Sequence, residues 1–146
     1  MNKRRFTVLL TLCLFLTITG CGNKTVSEAE MRQQMFADMR LSLSSITEMD
    51  RREKVLALVD TIEEQLNTMK EIVAQFVADS RELNSNYDAT RYEFNKLQAQ
   101  FNGSRQALQQ KIMDAKFELK ELTTEEEWSD LAGIKNAMML ELSEKQ

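Results

Sequence analysis

From Val55 to Leu83 the apolar side chains return at alternating steps of four and three. Val55, Ile62, Met69, Phe76 and Leu83 occupy one core position of a heptad, and Val59, Leu66, Val73 and Ser80 the other. That pattern predicts a long helix, residues 51–83, packed against another helix. At about 1.5 Å per residue it would be roughly 50 Å long. Asp50-Arg51-Arg52-Glu53 is read as its capped start.

Other stretches show the same kind of period. Ser27-Glu28-Ala29-Glu30 has the spacing of a capping box, and Met31, Met35, Phe36, Met39, Leu43 and Ile46 follow. These predict a first helix over 28–46, weakened at its end by Ser42, Ser44, Ser45 and Thr47. Asn84-Ser85-Asn86-Tyr87-Asp88 is the poorest helix-forming run mid-chain, and Thr90-Arg91-Tyr92-Glu93 offers a new box. A turn is expected near 84–88, with a third helix over 89–122. The seam keeps its phase through Tyr87, Thr90, Phe94, Leu97 and Phe101, so an unbroken helix in a parallel oligomer is the other reading. Asn102-Gly103-Ser104 is a weak point within the third helix, and Leu108, Ile112, Ala115, Leu119 and Leu122 follow with a slip of phase. Thr123-Thr124-Glu125-Glu126-Glu127 starts a last helix, with Thr124 as cap and Trp128, Leu131, Ile134, Met138 and Leu142 as its stripe.

The expected fold is therefore all-α. A long antiparallel helical hairpin, coiled-coil-like, carries shorter N- and C-terminal helices packed at its base. The termini would lie near one another.

A different pattern precedes this body. Lys3, Arg4 and Arg5 lead an apolar run of 14 residues, Phe6 to Thr19. As a helix the run would reach about 21 Å, short of a bilayer core of about 30 Å. A charged start, a short apolar run and a small-residue exit describe an export signal. The exit, Ile18-Thr19-Gly20-Cys21, resembles the bacterial lipobox, an aliphatic residue and two small ones before a cysteine. The resemblance covers the leader only. It implies a diacylglyceryl group on the Cys21 sulfur, cleavage before Cys21 and acylation of the new amino group. Acyl chains at one site give stable anchoring, since each buried CH2 contributes about 0.8 kcal/mol. Residues 1–20 are thus read as a lipoprotein signal peptide, 21–26 as a lipidated tether and 27–146 as the helical domain. Gly22 follows Cys21, and by resemblance to enteric-type lipoproteins a residue other than Asp there points to the outer membrane, facing the periplasm.

Composition narrows the chemistry. Without residues 1–20 the chain has 16 basic and 23 acidic side chains, a balance near −7, and no basic patch. Nucleic acid is not an expected partner. Histidine is absent, which removes the commonest general base and metal ligand. Cys13 leaves with the signal, and Cys21 is committed to lipid, so no internal disulfide is expected. Glu125, Glu126, Glu127 and Asp130 are the one acidic group worth weighing as a cation site, and a solvated helix start is the favoured account of them. Glu63-Glu64 and Glu141 with Glu144 read as solvated faces. No catalytic residue, cofactor or metal site is expected, and the chain is read as not an enzyme.

Two further resemblances concern the body. A lipidated heptad coil is similar to the major outer-membrane murein lipoprotein, whose members end in a lysine joined to peptidoglycan; here Lys145 is followed by Gln146, a departure from that pattern. Leu122-Thr123-Thr124-Glu125-Glu126 resembles, in its Leu-Thr followed by an acid, the Leu-Thr-x-x-Gln motif of the CpxP and Spy type of periplasmic chaperone. The functional expectation is a membrane-anchored envelope lipoprotein whose helical body is structural or docks an envelope protein, with a homo-oligomer also compatible. The alternative is a chaperone-like binder of exported proteins. Met31, Met35, Met39, Met49, Met69, Met113, Met138 and Met139 would fill the core or offer an adaptable surface.

Overall fold

The computed structural model describes residues 27–144. The stretches expected to form a signal peptide (1–20) and a lipidated tether (21–26), with Cys21, lie outside the described residues. The described chain is all-helical: α1 Glu28–Leu43, α2 Met49–Ser85, α3 Arg91–Leu122 and α4 Glu125–Glu144.

Three of the four helices begin as their sequence dictates. The Ser27 hydroxyl accepts from the Glu30 amide while the Glu30 carboxylate accepts from the Ser27 amide at 2.8 Å. Thr90 and Glu93 do the same at the start of α3, as do Thr124 and Glu127 at the start of α4. Each box satisfies amides that have no partner within the helix.

α2 departs from expectation. It starts at Met49, with Glu48 in the cap position and no side-chain cap bond, so Asp50 lies within the first turn. Its acid complements the helix dipole there instead of capping it. α1 stops at Leu43, three residues short of the expected end. The Ser44 and Ser45 hydroxyls donate to the Leu41 and Ser42 carbonyls at 2.6 and 2.8 Å, which closes the last turn with side chains. The central turn falls at 86–90, two residues later than expected. Asn86 Oδ1 accepts from the Asp88 amide at 3.0 Å, a local turn that competes with a continued helix. α3 passes through Gly103 unbroken.

α2 and α3 lie against each other along their length, α1 packs on both α2 and α4. Their directions follow from single contacts. Phe76 stacks on Phe101, and Arg51 donates to the Leu122 carbonyl, so α2 and α3 run in opposite senses. Arg52 donates to the Ile46 carbonyl, and Arg40 to Asp60 and Glu63, so α1 runs antiparallel to α2.

The core sits at the end where all four helices meet. Phe36, Leu43, Val55 and Val59 are fully buried there, joined by Met35, Ile46, Leu119 and Leu131. Trp128, Ile62, Leu66 and Met138 pack around them half-buried. Fully burying one such side chain contributes roughly 1.5–3 kcal/mol. Toward the turn at 86–90, α2 and α3 run on past the ends of α1 and α4. Their seam residues Met69, Phe76, Leu83, Phe94, Leu97 and Phe101 are half-buried, because two helices alone cannot enclose a seam. Val73, expected in that seam, is exposed.

Candidate functional site

Cys21, the one site residue read from the sequence, lies outside the described residues.

The acidic start of α4 is divided by the fold. Glu127 turns back to Arg51 of α2 and accepts from it at 2.7 and 3.1 Å. Arg51 also donates to Glu48 at 2.9 Å and to the Leu122 carbonyl at 3.3 Å. This one guanidinium therefore ties together the start of α2, the end of α3 and the first turn of α4. The hydrogen bonds it donates to Glu127 and Glu48 hold it more firmly protonated than a free arginine. In return the Arg51 hydrogen bonds draw Glu127 below the usual carboxylate range, with the Thr124 amide adding to the effect. Glu48 is lowered by the same guanidinium. Glu125, Glu126 and Asp130 stay exposed. Among the described residues no group of three or more carboxylates or thiols is placed to hold a metal ion.

Glu63 also proves more than a solvated face. It is half-buried and accepts from Arg40, which bonds Asp60 as well at 2.8 Å. The pairing locks α1 to α2, and it raises the affinity of Arg40 for its proton through Glu63 first and Asp60 second. No spacing in the sequence announces either clamp between helices, because Asp60 and Glu63 lie 20 and 23 residues from Arg40, and Glu127 lies 76 from Arg51.

The methionines divide. Met31 and Met35 are buried and Met39, Met69 and Met138 half-buried, whereas Met49, Met113 and Met139 are exposed. Met113 lies one turn before the exposed Phe117 on α3, and Val73 one turn before the exposed Val77 on α2. The pairing of Phe76 with Phe101 and of Arg51 with Leu122 sets these two apolar pairs at different heights on the hairpin. Trp128 packs half-buried on the core with the Lys120 ammonium 6.0 Å from its ring centroid, a cation–π contact at a partly open site.

At the turn between α2 and α3, Tyr87 is wholly exposed and Tyr92 is 74% exposed. The heptad phase had included Tyr87 in the seam. Asn86 and Asp88 break the helix on either side of it and leave the ring in solvent.

No helix of the described residues is long and apolar enough to cross a membrane. Comparison with known proteins gives no matching family model, no matching curated protein and no matching solved structure.

Proposed function

We propose that the chain is a non-catalytic lipoprotein of the bacterial cell envelope. Acyl chains on Cys21 hold a coiled-coil-like helical hairpin, with α1 and α4 packed beside its base, at the bilayer. The body is a structural or docking module for an envelope protein, in the outer membrane and facing the periplasm. One observation carries this reading: Ile18-Thr19-Gly20-Cys21 closes a charged-then-apolar leader directly before a polar, helix-forming body. Its chemistry needs only the thiol and small neighbours, which that stretch supplies. Palmitate-type chains together exceed the marginal hold of a single one.

The docking part is tested by photo-crosslinking in cells from exposed apolar positions, Leu41, Met113 and Phe117, in the full chain. A reproducible envelope protein captured from one face supports it. Absence of any product from all three, with the protein present in the membrane fraction, counts against it.

A second reading, a chaperone-like binder of exported proteins, draws on the exposed pairs Met113–Phe117 and Val73–Val77. It requires suppression of aggregation of an unfolded client by the purified protein. Unchanged aggregation at excess protein removes it.

A further inference from the structure

The direction of α1 decides which end of the molecule meets the membrane. α1 runs antiparallel to α2, so its first residue points toward the turn between α2 and α3 and away from the four-helix end. From Arg40, level with Glu63, α1 climbs 12 residues to Glu28, about 18 Å. From Glu63, α2 climbs 22 residues to Ser85, about 33 Å. The turn therefore stands roughly 15 Å beyond the start of α1. The chain from Ser27 back to Cys21 has six steps, which span at most about 20 Å. A bilayer holding Cys21 by a tether of that length lies within reach of the turn.

The turn is suited to meet it. Tyr87 and Tyr92 project into solvent with an apolar ring and a polar tip, the side-chain type that settles at the headgroup level. Around them Arg81, Arg91 and Lys96 balance Glu82, Asp88 and Glu93, so residues 81–96 are neutral. The chain without its leader is near −7, so the rest of the body carries the excess acid. The turn therefore adds no net repulsion from an anionic surface, whereas the body taken as a whole does.

We propose that the α2–α3 turn, through Tyr87 and Tyr92, rests on the headgroup layer of the same bilayer that holds Cys21. The four-helix end, with Met49 and the 44–48 connection, then faces away from the membrane. The helical arm is a strut that stands the core off the lipid by its own length. This inference rests on the anchored reading above.

The test uses full-length lipidated protein in vesicles of phosphatidylethanolamine and phosphatidylglycerol. A nitroxide is attached at Asn84→Cys beside the turn or at Ser45→Cys at the opposite end. Collision with an aqueous nickel complex and with lipid-dissolved oxygen is then measured. The proposal expects several-fold lower nickel access and higher oxygen access at position 84 than at 45. It expects the contrast to collapse when Tyr87→Ala and Tyr92→Ala are added. Equal aqueous access at both positions, with the protein floating with the vesicles, overturns the strut and leaves the anchor standing. A contrast that survives loss of both tyrosines overturns their role. Protein that does not float with the vesicles removes the anchor, and this inference with it.

Discussion

Phe76 of α2 and Phe101 of α3 stack with ring centroids 4.2 Å apart and planes 19° from parallel. This pair sits beyond the four-helix core, where only two helices remain. It fixes their register at the point where the least else holds them. Phe76→Ala removes the stacking and part of a half-buried ring, for an expected loss of about 1–3 kcal/mol. Hydrogen exchange of the amides in residues 70–105 should accelerate, while α1 and α4 stay protected. Uniform acceleration over all four helices would show that arm and core unfold as one unit.

The core makes a sharper demand. Leu43 is fully buried and Phe36 nearly so, whereas Leu41, two residues from Leu43 on the same helix, is 73% exposed. Leu43→Ala should cost about 2–5 kcal/mol and Phe36→Ala about 3–5 kcal/mol. Leu41→Ala should stay within about 0.5 kcal/mol of wild type. Urea melts followed by circular dichroism at 222 nm measure all three.

Gly103 and Gly133 lie inside helices with ordinary backbone, and a Cβ at either meets no atom within 4 Å. Neither turn geometry nor close packing requires glycine there. Gly103→Ala and Gly133→Ala should each raise stability by about 0.5–1 kcal/mol. A loss at Gly103 would mean that the native protein bends where α3 is continuous.

Acid should loosen the end held by Arg51. Its hydrogen bonds lower Glu127 from the ordinary value of 4.5, so the folded state favours the charged carboxylate. That stabilisation is complete above the unfolded value and is lost as pH falls through the lower folded one. Melting temperature should therefore drop between about pH 5 and pH 3. Glu127→Gln should begin less stable at neutral pH and drop less over that interval. Part of the acid sensitivity must persist in it, because Glu30 and Glu93 are lowered by their own capping amides.

Local signals carried most of the secondary structure. Ser27, Thr90 and Thr124, each three residues before a glutamate, mark three helix starts through bonds that need no tertiary partner. α2 starts two residues before the position that Asp50, which resembles a cap, suggests, because Asp50 lies inside the first turn. The early end of α1 turns on serine hydroxyls competing for carbonyls, a balance that spacing alone leaves open. Arg40 with Glu63 and Arg51 with Glu127 were invisible, since each pair exists only after distant helices meet. Cys21 lies outside the described residues, and its proposed lipidation rests on the neighbouring Ile18-Thr19-Gly20 alone.

The central claim is a helical body held to a bilayer through one sulfur. Mass spectrometry of the N-terminal peptide of protein purified from bacterial membranes tests it most directly. The account predicts a peptide beginning at Cys21 and heavier by a diacylglyceryl group, with or without a further acyl chain. A peptide beginning elsewhere, or one with an unmodified Cys21 thiol, would contradict it.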